Sequence, residues 1–304
     1  MKTFNTLLLR EWMQHRFGWA MLVLIPLTLA LLLLGVGQIQ IESDTVAEVG
    51  DFFPTMLATL SLAGTAGLLF VLGTVVSLFL ISGLARRDHA DRSVEFWLSL
   101  PTSHAQSLAA PLLTHLVLVP VAALALGIAG GVAVSFVVVS RLVGMGAWFT
   151  LPWGELLGVA LATFARLAVG VPLAMLWLLP LILAAVLLGA WLKRWGVPLL
   201  LLGLSLGATL SQQVFGFDWP ARQLAYLALQ AGRSLIHTER QGFVVQNGNE
   251  MAEALPKVMS FMLGDIGQAI GLLVSPGFLT VVVVSAGLFW LLIDWRRRGA
   301  GVSS

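Results

Sequence analysis

The chain has 304 residues, of which 58% are hydrophobic and 11% charged, and its formal net charge is +2 at pH 7. Soluble domains carry about a quarter of their residues as Asp, Glu, Lys or Arg, so this composition excludes an ordinary water-soluble protein. Several apolar runs exceed the roughly 18 residues that a membrane-spanning helix needs. The chain has no cysteine, which excludes disulfides and thiolate metal sites. We therefore predict an all-α polytopic membrane protein that forms a single transmembrane domain over residues 1–304.

Six apolar segments predict six transmembrane helices. No small-residue cleavage site follows the first, so it is expected to remain as an anchor. The fourth segment is longer than about 50 Å as a helix, well beyond a hydrocarbon core of about 30 Å. No polar turn divides it, so we predict one helix kinked near Pro172 and Pro180. The six segments are Trp19–Ile41, Met56–Leu84, Leu108–Val139, Glu155–Trp191, Val197–Gln213 and Pro276–Trp295.

The basic residues are distributed unevenly across this topology. An even number of spans places both termini on one side, and cytoplasmic segments carry an excess of Lys and Arg. With the N-terminus inside, the cytoplasmic segments hold 11 of the 17 basic residues. We therefore predict that both termini are cytoplasmic. The 11 residues are Lys2, Arg10, Arg16, Arg86, Arg87, Arg92, Lys193, Arg194, Arg296, Arg297 and Arg298.

The largest extramembrane piece, residues 214–275, is predicted to be extracytoplasmic. Two stretches of it carry apolar residues at helical spacing, which indicates amphipathic helices that lie on or dip into the outer interface. The polar residues Arg222, Gln223, Gln230 and Arg233 lie off the first apolar stripe. The first stripe consists of Leu224, Leu227, Ala228, Ala231 and Leu235, and the second of Leu255, Val258, Met259, Met262, Ile266, Ile270 and Leu273.

The predicted cytoplasmic loop of residues 85–107 contains the sequence DHADRSVEFWLSLPTS, in which charges flank an apolar centre. Asp91 or Ser93 is suited to cap a short helix and Pro101 to end it. Exposed Trp97 and Leu98 are costly unless they contact another surface. Lipid headgroups or the groove of a soluble partner would both provide one, so an interfacial anchor and a docking helix are both consistent with this segment.

These features together resemble the membrane-spanning subunits of the type 2 ABC permease family, bacterial exporters whose ATP-binding subunit is a separate polypeptide. The resemblance covers nearly the whole chain: an N-terminal interfacial helix at residues 1–18, six spans with both ends inside, and short outer helices before the last span. It includes Asp91-Arg92 and an apolar stretch that ends in Ser99-Leu100-Pro101. The chain departs from many members at Ser93-Val94-Glu95, where they have Gly or Ser with Thr.

The resemblance implies that residues 1–18 form an elbow helix and that the loop of residues 85–107 is a coupling helix seated in a groove of the ATPase. It also implies a second permease subunit, identical or a sister chain, with an interface on the first and fifth spans. The implied location is the bacterial inner (cytoplasmic) membrane. The implied docking residues are Asp91, Arg92, Glu95, Phe96, Trp97, Leu98, Leu100 and Pro101.

We therefore predict a permease subunit of an ATP-driven exporter that moves an amphipathic cargo, such as a lipid, peptide or drug-like molecule. ATP and magnesium are expected only in the partner subunit, with no cofactor in this chain. The predicted partners are the cytoplasmic ATP-binding subunit, a second permease subunit and membrane lipid, but no nucleic acid. An intramembrane enzyme acting on lipid or peptide, or a non-transporting sensor or scaffold, stays open as an alternative.

Motifs for enzymatic chemistry are absent from the sequence. It has no Gly-x-x-x-x-Gly-Lys-Ser/Thr stretch for nucleotide phosphates, no Gly-x-Ser-x-Gly elbow and no His-Glu-x-x-His pair. We therefore predict no catalytic residue and no ATPase activity in this chain. No metal site is expected, because metal-ligand spacing is absent from the five histidines, His15, His89, His104, His115 and His237. The intramembrane His115 is more typical of an interhelical hydrogen bond than of a catalytic base.

Arg166 is the most unusual charge in the predicted spans, roughly 16 Å below the outer end of the fourth. An unpaired guanidinium there costs at least about 2.5 kcal/mol, so Arg166 should face protein or water. It is either a wall of the translocation path for an anionic or carbonyl-rich cargo, or one member of a structural pair with Asp265. Small residues in the spans predict close helix contacts at Gly64, Gly67, Gly127, Gly130 and Gly131.

Overall fold

A computed structural model of the protein describes residues 2–37, 50–82, 84, 103–192, 195–236 and 248–300. The described residues form helices and turns, with no strand among them. Short 3-10 turns cover Gly50–Phe52 and Leu272–Val274, and a π-helical turn covers Thr114–Leu118. The α-helices are α1 Lys2–Val36, α2 Phe53–Ser82, α3 His104–Leu113, α4 Val119–Leu142, α5 Met145–Phe149, α6 Trp153–Leu192, α7 Gly196–Phe215, α8 Trp219–Leu235, α9 Gly248–Gly271 and α10 Pro276–Ala300.

Seven helical segments of the described residues are long and apolar enough to cross a membrane. The chain is thus a multi-pass helical membrane protein, as predicted. Six of the segments coincide with the six predicted spans, and the seventh, Ala254–Val274, falls in the stretch predicted as an amphipathic outer helix. The number of six spans therefore stays a prediction. Sequence periodicity predicted a helix here but not one apolar enough to cross a membrane, because an amphipathic stripe and a moderately apolar span share many residues.

The predicted elbow helix is not a separate element. Residues 2–18 are helical, but they continue into the first span without a break, so that α1 is one helix of 35 residues. The physical reason is local, because this stretch is rich in Leu, Arg, Glu, Met and Gln and has no internal proline before Pro26. At the other end of α1, Arg141 of α4 donates hydrogen bonds to the carbonyls of Leu34 and Gly35 at 2.8 and 2.6 Å.

The helices α2 and α4 form the most extensive helix pair of the fold. A Cβ added at Gly127 would lie 2.6 Å from the Cα of Ala66, and one added at Gly131 would lie 2.7 Å from the Cα of Leu62. Two glycines four residues apart therefore let the backbones meet, as in other small-residue contacts of membrane helices. The predicted close contacts at these two glycines are confirmed.

The predictions for the other three glycines have different outcomes. A Cβ added at Gly130 would lie 2.6 Å from Leu27 of α1, so this contact is confirmed as well. The predicted contacts at Gly64 and Gly67 were wrong, because a Cβ added at either position meets no atom within 4 Å in the described part of the chain. A small residue permits a close approach, but the sequence does not show which face of a helix has a neighbour.

The long helix α6 is the centre of the bundle. It runs unbroken over 40 residues through Pro172 and Pro180, so the prediction of one helix is confirmed. The helices that pack most extensively against it are α7, α8, α9 and α10, and α2 and α4 contact it as well. Trp177 of α6 is completely buried and contacts the rings of Tyr226 in α8 and Phe278 in α10.

The two predicted amphipathic segments form α8 and α9. On α8, Ala231 of the apolar stripe is buried and Leu224, Leu227 and Leu235 are partly buried, whereas Ala228 is exposed. Gln230 was predicted off the apolar face but is buried, as is Ser234, whose hydroxyl donates to the Gln230 carbonyl at 2.8 Å. The buried face of α8 is thus partly polar, because it ends against a charged side chain of α6.

The predicted coupling segment lies mostly outside the described residues. Only residues 103–107 of the loop are described, and they begin α3 earlier than predicted. The hydroxyl of Ser103 accepts a hydrogen bond from the backbone N–H of Gln106 at 3.2 Å, which makes Ser103 the N-cap of α3. The third predicted span therefore starts at His104 rather than Leu108.

Candidate functional site

The predicted docking residues and Arg166 have different outcomes. The docking residues fall outside the described part of the chain, and their roles stay predictions; they are Asp91, Arg92, Glu95, Phe96, Trp97, Leu98, Leu100 and Pro101. Arg166 is described and has an exposed fraction of 0%. Its surroundings show whether it has the structural partner predicted from the sequence.

Arg166 makes a buried ion pair with Asp265 of α9. Its Nε donates to Oδ2 of Asp265 at 2.7 Å, and neither side chain is exposed beyond 2%. The structural pairing predicted for these two residues is confirmed, although they are far apart in the sequence. A buried pair of this kind is compensated only when its remaining donors also find acceptors.

The other two guanidinium nitrogens of Arg166 bind the end of α8. Nη1 donates to the carbonyl of Ser234 at 2.7 Å and Nη2 to the carbonyl of Arg233 at 3.3 Å. These carbonyls belong to the last turn of the helix, where backbone acceptors lack intrahelical partners and carry partial negative charge. Arg166 thus joins three helices, α6, α8 and α9, which we call the outer clamp (Arg166, Asp265, Arg233 and Ser234).

Gly170 makes room for the outer clamp. It lies one turn after Arg166 on α6, and a Cβ at this position would lie 2.7 Å from Nη1 of Arg166 and 2.5 Å from the carbonyl oxygen of Ser234. Arg166 lies about 20 Å along α6 from Trp153, so α8 ends well inside the bundle rather than on its rim. A role of Arg166 in a translocation path stays a prediction.

A second group of ionisable side chains lies between α1 and the π-helical turn. Glu11 and His15 are four residues apart on α1, so they occupy the same face of that helix. His115 lies in the π-helical turn, which follows Pro111 in α3. One carboxylate oxygen and one ring nitrogen from each histidine all lie within 4.8 Å of one another. We call Glu11, His15 and His115 the inner cluster.

The inner cluster is deeply buried. Glu11 and His115 have exposed fractions of 0%, and His15 is partly buried. Oε2 of Glu11 lies 3.7 Å from Nε2 of His115, while Oε1 accepts a hydrogen bond from Nη2 of Arg10 at 2.9 Å. Within the described part of the chain, neither ring nitrogen of His115 has a hydrogen-bond partner. A buried imidazole with both nitrogens unsatisfied is unusual in native proteins.

Aromatic rings enclose the inner cluster on one side. The ring of Trp19 lies 5.8 Å from that of His115 and 5.7 Å from that of His15, measured between centroids. The rings of His15 and His115 are themselves 5.3 Å apart in an edge-to-face arrangement. Trp12 lies about one turn before His15 on α1. Its ring centroid lies 5.4 Å from that of Trp19, and the two rings are tilted relative to each other. Such walls limit the access of water and strengthen electrostatic interactions inside.

Spacing along the chain did not reveal the complete inner cluster. His115 is 100 residues from His15, and only the packing of α1 against α3 and the π-helical turn brings them together. A partial signal was present, since Glu11 and His15 stand at a spacing of four on one helix. That spacing suits two ligands of one metal ion, as it does the two histidines of His-Glu-x-x-His helices.

An apolar cavity of about 90 Å³ lies among α2, α4, α6 and α9. Its lining is aliphatic except for Thr59 of α2 and Thr163 of α6. Both hydroxyl-bearing residues sit on helices, where a threonine can return its hydroxyl to the preceding turn; that of Thr59 donates to the Thr55 carbonyl at 2.8 Å. The cavity therefore suits an aliphatic group rather than a polar one.

Comparison with known proteins adds no relative. No protein-family model, no curated protein and no solved structure matches the chain.

Proposed function

We propose that the protein is the permease subunit of an ATP-driven ABC exporter of type 2. A separate cytoplasmic ATP-binding subunit would dock on residues 85–102, and the cargo would be an amphipathic molecule such as a lipid, peptide or drug-like compound. The observation that carries the proposal is the sequence Asp91-Arg92, then an apolar centre, then Ser99-Leu100-Pro101, between the second and third apolar helices.

The packing around this segment supports a role in force transmission. Residues 85–102 connect α2 to α3, which continues through the π-helical turn into α4. Gly127 and Gly131 bring α2 and α4 into backbone contact, so the two helices would respond to a push as one unit. Rigid packing of Trp97 and Leu98 in a groove of the ATPase would then move both helices.

The exposure of α1 and α7 supports the proposed second permease subunit. In the most apolar 18-residue windows of Phe4–Val36 and Gly196–Phe215, 0% of the residues are buried within the chain. The corresponding window of Trp153–Leu192 is 50% buried. The first and fifth predicted spans therefore offer the least covered helical surfaces for a second copy or a sister chain, as the resemblance implies.

The apolar cavity and the outer helices support an amphipathic cargo. The cavity accepts an aliphatic group at the junction of four helices. α8 and α9 enter the bundle beside α6 and come immediately before the last helix, where the type 2 permease family places its outer helices. A cargo with an acyl or other aliphatic portion would find a complementary surface there.

Co-purification tests the proposed docking. We expect the double change Trp97→Asp and Leu98→Asp to release the ATP-binding subunit, because charges cannot enter an apolar groove. The matched control is Phe149→Asp, which changes an aromatic residue of 65% exposure in the turn predicted to face the opposite side. Retention of the ATPase by the double variant, or the absence of any ATPase from native membranes, would contradict the proposal.

The absence of natural cysteine allows a clean test of topology. A single cysteine at position 95 should react with an impermeant reagent only after the cells are opened, whereas one at position 149 should react in intact cells. A cysteine at position 304 distinguishes six spans from seven, because an odd number would move the C-terminus to the outside. Labelling of position 95 from outside would refute the docking role.

A further inference from the structure

The inner cluster has the composition of a metal site. Two imidazoles and one carboxylate form a three-ligand set that suits divalent transition metals, and zinc in particular uses it with a fourth, open position. Calcium and magnesium prefer oxygen ligands, so they fit this set poorly. The cluster was not anticipated from the sequence, and the proposed transport function does not use it.

The geometry of the cluster is close to that of a bound ion. Zinc–ligand bonds of about 2.1 Å at tetrahedral angles place two ligand atoms about 3.4 Å apart. Oε2 of Glu11 and Nε2 of His115 are already 3.7 Å apart, and all three ligand atoms lie within 4.8 Å of one another. Small side-chain rotations would therefore complete the coordination without movement of the helices.

His115 shows that this group is more than a chance contact. Its ring is fully buried, and neither nitrogen has a hydrogen-bond partner within the described part of the chain. Burial of an imidazole without hydrogen-bond partners is destabilising, and a metal bond to Nε2 would remove that cost. The π-helical turn that presents His115 is a feature that occurs frequently at functional sites.

The surroundings supply the remaining needs of a metal site. Arg10 donates to Oε1 of Glu11 at 2.9 Å, which orients the carboxylate and leaves Oε2 toward the histidines. His15 is the only member of the cluster that is not fully buried, so the ion and a water ligand would enter beside it. Trp19 covers the histidine rings and limits solvent access.

We propose that Glu11, His15 and His115 bind one divalent transition-metal ion, with zinc as the best match, between α1 and the π-helical turn. The ion fastens the N-terminal part of α1 to the helical segment that follows residues 85–102. The ion would supply a directional link between these two elements in addition to their packing. This inference stands independently of the ATPase docking proposed above.

Metal analysis of the full chain tests the proposal. The protein is purified in detergent with an affinity tag that contains no histidine, stripped with a chelator, and titrated with Zn²⁺ or Co²⁺. We expect about one tightly bound ion per chain, together with the intense visible absorption of four-coordinate Co²⁺. His115→Ala should weaken binding by at least about 10-fold and abolish the visible bands, because it removes a ligand and not an outer partner.

Two further variants keep the test decisive. Glu11→Gln preserves the size of the side chain and removes its charge, so it should also weaken binding by at least about 10-fold if His115→Ala fails to fold. His104→Ala is the matched control, since His104 begins α3 outside the cluster and its loss should leave stoichiometry and spectrum unchanged. Substoichiometric, weak binding by the wild type, or equal binding by wild type and Glu11→Gln, would overturn the proposal and leave Glu11 and His115 as a plain ion pair.

Discussion

The outer clamp and the inner cluster both bury ionisable side chains, but they differ in how those side chains are hydrogen-bonded. In the outer clamp, Nε, Nη1 and Nη2 of Arg166 each have an acceptor, and the charge of Asp265 balances that of the guanidinium. In the inner cluster, His115 is equally buried but has no hydrogen-bond partner within the described residues. Burial of charge alone therefore does not mark a functional site. The two regions differ in whether the buried ionisable side chain that joins the helices has its hydrogen-bond partners.

The strongest test of this contrast removes one charge of the outer clamp. We expect Asp265→Ala to lower the free energy of unfolding by about 3 to 5 kcal/mol, because Arg166 would remain buried and uncompensated. Unfolding in detergent can be followed by fluorescence of the 11 tryptophans.

A double variant shows what else Arg166 does. Arg166→Met with Asp265→Leu removes both charges and should recover part of the lost stability. It should not recover all of it, because the carbonyls of Arg233 and Ser234 would lose their donor. Complete recovery would show that the contacts with α8 contribute nothing. A loss below about 1 kcal/mol in Asp265→Ala would contradict the compensated pair.

Metal removal should separate the two regions. If the inner cluster holds zinc, free zinc at 100-fold above the dissociation constant stabilises the fold by about 2.7 kcal/mol, and a chelator removes this effect. Thermal unfolding should therefore respond to chelator in the wild type and in Asp265→Ala, but not in His115→Ala. Because the inner cluster lies on α1 and the π-helical turn and the outer clamp on α6, α8 and α9, their effects should add. A chelator response that survives in His115→Ala would place the ion elsewhere.

Gly170 tests how tightly the outer clamp is packed. A glycine-to-alanine change within a helix usually stabilises it by up to about 1 kcal/mol. At Gly170 the added methyl would collide with Arg166 and the Ser234 carbonyl, so we expect a loss of about 1 to 3 kcal/mol instead. The matched change Gly64→Ala meets nothing within 4 Å and should be neutral or stabilising. Equal effects in the two variants would argue against a rigid clamp.

Arg141 is an exposed counterpart of Arg166, and its substitution should have the smallest effect on the free energy of unfolding. It also caps a helix end, with hydrogen bonds to the carbonyls of Leu34 and Gly35, but it does so on the surface. Solvent can replace these bonds, so Arg141→Ala should cost only about 0.3 to 1 kcal/mol in the same unfolding measurement. A loss as large as that of Asp265→Ala would mean that burial is not what gives the outer clamp its strength.

The sequence predicted those features that follow from composition and from the cost of charge in lipid. The unbroken α6 followed from an apolar run without a polar turn. The pairing of Arg166 with Asp265 was one of two alternatives that followed from the cost of an unpaired guanidinium in lipid. The close approach at Gly127 and Gly131 followed from their small size. Each of these predictions started from one local property of the sequence.

The features that were missed depend on how distant segments meet. Gly64 has the same size as Gly127, but a Cβ added there meets no atom within 4 Å in the described residues. The helix α1 continues without a break where a separate elbow helix was expected. The inner cluster requires α1 to pack on α3 and requires the irregular turn at Thr114–Leu118, and neither leaves a periodic pattern. Pairing across 100 residues is a property of the packed bundle and not of the local sequence.

The π-helical turn at Thr114–Leu118 also determines the directions in which the side chains of α4 point. Each residue of an α-helix advances the side-chain direction by about 100°, so a single wide turn shifts the azimuth of all later residues relative to all earlier ones. His115 lies in this turn and is directed toward α1. Farther along the same rod, Gly127 and Gly131 are directed toward α2 and Gly130 toward α1. The turn thus determines how far the side chains of α4 are rotated relative to those of α3.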